Sequence, residues 1–274
     1  MSRDFRDKTV IITGASLGVG AATARAFANR GANLVLVARG LEALERIAAE
    51  LSAQTQVMTA AFDVTDRARC QQMLDAAQQR FGRIDVLVNN AGYHARGPVE
   101  GLAPDAIARM VEVNLTAPLC LVRLTLPYLE RAGGGVIVNV ASLAGMTPVP
   151  GAATYSATKF GLRAFSFALA EELAARNISV SVVSPGPIDT GFIMDNIDDV
   201  DDITFSQPMS TAPQVGEAIV AAATGASTEI AMPKASGMLA TLGYLSPSLA
   251  RRLRPKLRAK GAKVKAGYKS RQRD

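Results

Sequence analysis

The 274 residues are 49% hydrophobic, enough for a large core, with only 5% aromatics and no Trp. The net charge of +6 is uneven: eleven basic residues face one acid between Ala250 and Asp274, leaving +10 on the tail and −4 on the other 249 residues, which argues against a body built to bind nucleic acid. Cys70 and Cys120 are too few for a disulfide framework and show no metal-like spacing, and no window approaches the roughly 18 apolar residues of a membrane span. The first apolar run, Val10 to Ile12, is too short for a signal-peptide core. A cytoplasmic chain with free thiols, no transmembrane helix, no metal and no nucleic-acid partner is expected.

Short β-branched runs alternate with longer amphipathic stretches. Strands are predicted at 9–13, 34–37, 56–62, 84–88, 136–140, 179–183 and 229–232. They are mostly continuous apolar runs, as in strands covered on both faces. Helices are predicted near 18–30, 41–52, 66–81, 104–131, 153–176 and 212–224, with Asp66 and Ser156 as starting residues and Gly31 and Gly82 as stops. Seven strands and six helices in alternation predict an α/β fold, a single doubly wound Rossmann-type domain over 1–235 with a seven-stranded parallel sheet. Right-handed crossovers then place ligands at the carboxyl ends of the strands.

The first strand runs into Thr13-Gly14-Ala15-Ser16-Leu17-Gly18-Val19-Gly20 and an Ala-rich helix. Gly14 suits a tight turn, while Gly18 and Gly20 let backbone approach a phosphate and helix approach strand. Helix N–H groups would face a pyrophosphate. The second strand ends Val37-Ala38-Arg39-Gly40. An acid there would bond the ribose of NAD, whereas Arg39 offers charge-assisted bonds to a 2′-phosphate. NADP (as NADPH) is therefore expected over NAD, the alternative being a merely exposed arginine at a strand end.

Further along come Asn89-Asn90-Ala91-Gly92, then Asn114 inside a helix where its propensity is poor. Ser142 follows the fifth strand, and Tyr155-Ser-Ala-Thr-Lys159 opens the next helix. Tyr155 and Lys159 share a helix face one turn apart. An ammonium so placed lowers a tyrosine pKa from about 10 towards the range useful for acid/base work. Leu143, Met146, Pro148, Val149, Phe192 and Ile193 are candidate pocket walls and favour a hydrophobic substrate. Tyr93 and His94 are placed at the substrate mouth, His94 as a loop histidine rather than a base. The acidic stretch within 190–211, with Asp195, Asp198, Asp199, Asp201 and Asp202, is either a solvated loop or a mobile lid.

In this order and spacing the motifs resemble the short-chain dehydrogenase/reductase family, whose TGxxxGxG and YxxxK signatures are matched in full; the resemblance covers about residues 7–233. It implies hydride transfer between NADP(H) and a carbonyl or alcohol. Tyr155 would be the general acid/base, Ser142 the carbonyl orienter, Lys159 the pKa modulator and ribose binder, and Asn114 the anchor of a proton-relay water. It assigns Gly14, Ser16, Leu17, Gly18, Val19 and Gly20 to the cofactor, with Arg39. Asp63 and Val64 fall at the adenine edge, Asp63 reading equally as a turn residue. Asn90, Ala91, Gly92, Pro185 and Gly186 lie along the cofactor, with Ile188 and Thr190 against the nicotinamide. Leu17 stands where some NADP-preferring relatives carry a second base. The resemblance further implies a homodimer or homotetramer paired through helices 104–131 and 153–176. The rival readings are a non-catalytic NADP(H)-binding or membrane-associated module and a same-fold epimerase or dehydratase.

Residues 236–274 form a basic extension. Met238, Leu242, Leu245, Leu249, Leu253 and Leu257 recur at spacings of three and four, Ser246-Pro247 looks like a helix start, and Pro255 is expected to break the helix. Docking on the chain's own body or a sister subunit is the favoured reading. The alternatives are an anionic membrane surface or a disordered solubilising arm. The ending is similar to that of lipid- and steroid-active branches of the family, which again points to a hydrophobic carbonyl substrate.

Overall fold

The computed structural model describes residues 4–195 and 197–271. Met1 to Arg3 of the N-terminal reading, Asn196, and Gln272, Arg273 and Asp274 of the tail lie outside the described residues. The strands are β1 (Thr9–Thr13), β2 (Asn33–Ala38), β3 (Val57–Ala61), β4 (Val86–Asn89), β5 (Gly135–Val140), β6 (Ile178–Pro185), β7 (Ile188–Asp189), β8 (Ser210–Thr211) and β9 (Glu229–Met232). The helices are α1 (Gly18–Ala28), α2 (Leu41–Leu51), α3 (Arg67–Phe81), α4 (Pro104–Val111), α5 (Ala117–Arg131), α6 (Ala153–Leu173), α7 (Gly191–Met194), α8 (Ala212–Ala222), α9 (Lys234–Leu245) and α10 (Pro247–Arg271).

Seven strands form one parallel sheet in the order β3-β2-β1-β4-β5-β6-β9. Ile11 pairs with Val35 of β2 on one side and Leu87 of β4 on the other. Strand order reverses between β1 and β4, and there the carboxyl ends leave a crevice. Side chains alternate across the sheet, so the continuous apolar runs feed two cores. Ile12, Leu36, Val88 and Val138 pack with Phe27 of α1 and Ile219 of α8. Ile11, Val37, Leu87 and Ile137 pack on the other face with Leu74 of α3, Leu129 of α5 and Leu173 of α6. Asp66 accepts from the Arg69 N–H at 3.0 Å and so caps α3, and Gly82 ends that helix at φ 76°. Ser156 is no cap: α6 begins at Ala153, and the Ser156 hydroxyl accepts from the Val149 N–H at 3.2 Å.

Three features depart from the sequence expectations. The helix over 104–131 is interrupted by a π-helical turn, Glu112–Thr116, centred on Asn114. A second, two-stranded sheet joins β7 to β8 and ties off the two ends of the acidic stretch. Pro255 does not break the tail: α10 runs unbroken from Pro247 to Arg271. Pro255 is exposed, so the carbonyl it leaves unbonded meets water, and the turns beyond it are anchored to the body.

That anchor is the acidic stretch itself. Arg258 pairs with Asp201, Lys265 with Asp202 at 3.3 Å, and Lys269 with Asp198. Lys265 also donates to the Val200 carbonyl at 2.6 Å. Beneath the charges, Tyr268 meets Phe205 in a small core with Ile193, Ile197 and Val200. A Cβ on Gly261 would fall inside the Asp202 carbonyl, so glycine alone permits this approach. The stretch is thus neither a free loop nor merely solvated; the second half of α10 straps it down. Lys265→Ala should loosen it, with faster amide hydrogen exchange over 197–206 and unchanged protection in the main sheet. Unchanged exchange over 197–206 would show that α10 does not brace it.

Candidate active site

A cavity of about 1490 Å³ opens at the carboxyl ends of the strands. One end is built by the turn from β1 into α1. Gly14 takes φ 67° and Gly18 φ 52°. A Cβ on Gly20 would penetrate the Gly14 carbonyl, so α1 meets the end of β1 at a distance only glycine permits. No side chain caps α1, and its first turn holds no acid, which leaves its N–H groups and partial positive charge facing the cavity. The Thr13 hydroxyl accepts from the Asn90 and Ala91 N–H groups, each at 3.0 Å, and Asn90 Nδ2 donates to the Thr13 carbonyl at 2.8 Å. These bonds lock the ends of β1 and β4 together.

Every residue assigned to a cofactor at the sequence level lines this one cavity, from Gly14 through Gly20 at one end to Pro185, Gly186, Ile188 and Thr190 at the other. Arg39 is exposed at its edge beside the buried Ala38. Asp63 lines it too, yet its carboxylate is already engaged: Oδ1 accepts from the Thr65 N–H at 3.1 Å and the Thr65 hydroxyl at 2.8 Å, while Oδ2 pairs with Arg109. Burial pushes the Asp63 pKa up, but these bonds outweigh it and hold the group below its ordinary value. The cradle fits a dinucleotide: bare helix N–H groups and side-chain-free glycines face the cavity, and the cation of Arg39 stands at its edge.

Ser142, Tyr155 and Lys159 line the same cavity. Ser142 sits just past β5, where its Oγ accepts from the Ala144 N–H at 3.1 Å. Lys159 is buried and donates from Nζ to the Val140 carbonyl at 2.9 Å, with Nζ 5.7 Å from the Tyr155 ring centre. Burial lowers its pKa to about 8. The Tyr155 pKa is raised by burial, with the Ser142 hydroxyl and the Arg96 guanidinium pulling it down. The Tyr–Lys spacing does put both on one face, and the Arg96 guanidinium also bears on the phenol. Asn114 stands behind this wall rather than in it. Its Oδ1 accepts from the Tyr93 N–H and its Nδ2 donates to the Tyr93 carbonyl, both at 2.7 Å. The π turn that carries Asn114 is the kind of helix irregularity that marks functional sites.

The substrate side is apolar. Leu143, Pro148, Val149, Phe192 and Ile193 line it as expected; Met146 does not, being buried against Leu143, Ala231 and Ala240. His94 stacks on Tyr155 with ring centres 4.2 Å apart and planes 14° from parallel. Arg96 lies over the Phe192 ring, its Cζ 5.4 Å from the centre, and donates from Nη2 to the Phe192 carbonyl. Neither Arg96 nor Arg109 was singled out by the sequence, because a lone arginine in a loop or helix carries no pattern. The tail was also missed as a wall: Leu239, Leu242, Leu249, Leu253 and Leu257 all reach the cavity. The spacing of Leu242, Leu249, Leu253 and Leu257 was legible, but not the surface they cover.

The short chain dehydrogenase family signature matches residues 8–201. An uncharacterized oxidoreductase of Staphylococcus epidermidis is 36% identical over 185 residues, covering 68% of this chain and 80% of that protein. The ketoacyl reductase HetN of a Nostoc species is 34% identical over 253 residues, covering 88% of this chain and 86% of the relative. The crystal structure of levodione reductase superposes with a TM-score of 0.77 at 26% identity, over 85% of this chain and 99% of that one. The chain belongs to the short-chain dehydrogenase/reductase family, whose members are oxidoreductases using a nicotinamide cofactor.

His94 gives the site a pH signature. Burial, helped by the charges of Arg96 and Lys159, lowers its pKa from 6.5 to about 3. Below pH 6.5 the unfolded chain takes up a proton that the folded chain refuses until about pH 3. The contribution is therefore complete above pH 6.5 and is lost as pH falls, by about 2 kcal/mol at pH 5. Urea titrations at pH 7 and pH 5 should show wild type losing about 2 kcal/mol more than His94→Phe, which keeps the ring stack. Equal losses would mean that the imidazole protonates freely in the folded chain.

Proposed function

We propose that this chain reduces an apolar ketone or aldehyde with NADPH, or oxidises the matching alcohol, using Tyr155 as general acid/base. The observation that carries this reading is the convergence of Ser142, Tyr155 and Lys159 on the cavity that the glycine turn also lines. The relatives' names agree in kind, two of them being reductases of a ketoacyl group and of levodione. A bound nicotinamide dinucleotide supplies or accepts the hydride. Ser142 donates a hydrogen bond to the carbonyl oxygen and holds it towards Tyr155. Tyr155 gives that oxygen its proton as negative charge develops. Lys159, charged below about pH 8, supports the phenol and bonds the ribose, and Asn114 braces the Tyr93 segment and anchors the relay water. Arg96 adds a second cation near the phenol.

The apolar lining, together with leucines from the tail, supports a hydrophobic substrate over a small charged metabolite. Half-buried Leu119, Leu124, Phe165 and Phe167 on α5 and α6 support pairing into a homodimer or homotetramer through those helices. Cys70 and Cys120 are free thiols, which suits a reducing, cytoplasmic setting. Among the described residues no helix is long and apolar enough to cross a membrane. In domain terms, 1–235 would be the catalytic unit and 236–274 its extension.

Tyr155→Phe should cut turnover at least about a hundredfold while NADPH still binds, because only the phenol supplies the proton. Retained turnover would overturn the mechanism. The cofactor preference rests on Arg39. Its charge-assisted bonds to a 2′-phosphate contribute about 1.5–3 kcal/mol, or roughly ten- to a hundredfold for NADPH over NADH. Exposure to water and salt keeps the value towards the lower figure. Arg39→Ala should weaken NADPH and leave NADH nearly unchanged in fluorescence titrations at low salt. Equal affinities in wild type would reverse the assignment.

A further inference from the structure

The tail divides into two parts with different surroundings. From Arg258 onward α10 is committed to the acidic stretch by its three ion pairs. Between Met238 and Leu253 the tail is largely uncovered. Met238, Leu242 and Leu245 are 66%, 59% and 73% exposed, and Leu249 is 49% exposed. On α9 the first three stand at i, i+4 and i+7, so they share one face. Leu242, Leu249 and Leu253 belong both to this exposed strip and to the cavity wall. The strip and the cavity wall therefore share these three leucines.

Cations flank the strip. Arg251, Arg252 and Lys256 are exposed, and Arg254 lines the cavity. The sequence holds no carboxylate from Lys234 to Arg273. Among the described residues none of these four cations joins an ion pair, in contrast to those of the second half of α10. A contiguous strip of exposed large apolar side chains marks a contact surface.

We propose that this face docks on an anionic lipid surface, from which an apolar carbonyl compound passes into the cavity. Charge selects the occupant. A second copy packed about a two-fold axis would set Arg251 and Arg252 against a surface of the same sign. A bilayer offers hydrocarbon to Met238, Leu242, Leu245 and Leu249 and a dense layer of phosphates to the arginines, whose stems reach upward from an apolar floor. With no helix able to cross a membrane among the described residues, the contact lies in the interfacial plane. The passage of substrate rests on the reductase reading; the docking does not.

Flotation of the full chain with phosphatidylcholine vesicles, with and without roughly one third phosphatidylglycerol, tests this. Binding is expected to the anionic vesicles and to decline with salt. Each cation near such a surface contributes about fivefold, so Arg251→Gln with Arg252→Gln should lower partitioning about 25-fold. Leu245→Asp should lower it at least about tenfold. Neither variant touches the cavity, so turnover of a water-soluble carbonyl should be unchanged. Wild type that stays off anionic vesicles at low salt, or binding indifferent to both variants, overturns the proposal. So does a sedimentation mass that halves in Leu245→Asp while vesicles stay bare, since the face then belongs to a second copy. A chain that floats yet oxidises no NADPH with any carbonyl would overturn the reductase reading and leave the docking intact.

Discussion

The space denied to a side chain at Gly20 governs the placement of everything around the cavity. Helix α1 crosses the end of β1 so closely that a Cβ there would overlap the Gly14 carbonyl. That approach aims the bare N-terminus of α1 across the crevice where strand order reverses. The Thr13 hydroxyl, accepting two N–H groups from the loop after β4, makes the neighbouring strand end at the same level. Gly92, in that loop, lies near both Asn114 and Lys159, so the glycine turn and the chemical wall are referenced to one point. A larger residue at position 20 would displace the glycine turn and the wall of Ser142, Tyr155 and Lys159 relative to each other.

Buried polar side chains extend that fixed point into α6. Asn89 donates to Asn139 at 2.9 Å, and Asn139 donates to Ser166 at 2.8 Å, which ties β4, β5 and α6 through the core. Asn114 makes the parallel connection from the interrupted helix to the Tyr93 loop and, at 3.4 Å, to Thr158 beside Lys159. Buried amides left unpaired are costly, so these chains admit few alternative packings. They hold α6 in the rotation that turns Tyr155 and Lys159 inward. Position 159 is buried because its ammonium finds the Val140 carbonyl there, at the cost of a pKa lowered to about 8.

The sheet was legible because its strands are mostly continuous apolar runs; predicted and observed strands agree to within a residue or two at most ends. The glycine turn and the Ser142, Tyr155 and Lys159 set were legible because each follows a strand end or a helix period. What escaped depends on long-range packing. Periodicity reads 104–131 as one helix, since a π turn leaves the apolar pattern almost undisturbed. Pro255 carries a strong local signal for a break, which three distant aspartates override. Arg96 takes its significance from Phe192, nearly a hundred residues away, and no local pattern marks such a pair.

The same long-range packing explains why acids and bases are segregated along this chain. The tail's charge of +10 looks like a binding arm when counted alone. In the folded chain, Arg258, Lys265 and Lys269 meet Asp201, Asp202 and Asp198, so part of that charge is internal. Exposed ion pairs of this kind contribute little singly. Here they sit over Phe205 and Tyr268, and Gly261 brings the backbones together, so packing carries the attachment and charge sets its register. The strapped stretch leads back through α7 to Phe192, whose carbonyl is held by Arg96 and whose ring stands 6.5 Å from Tyr155. A mechanical connection thus runs from the far end of the tail to the phenol. Because α9 and the first half of α10 wall the same cavity, any contact that moves them reshapes that wall and bears on the strapped stretch together.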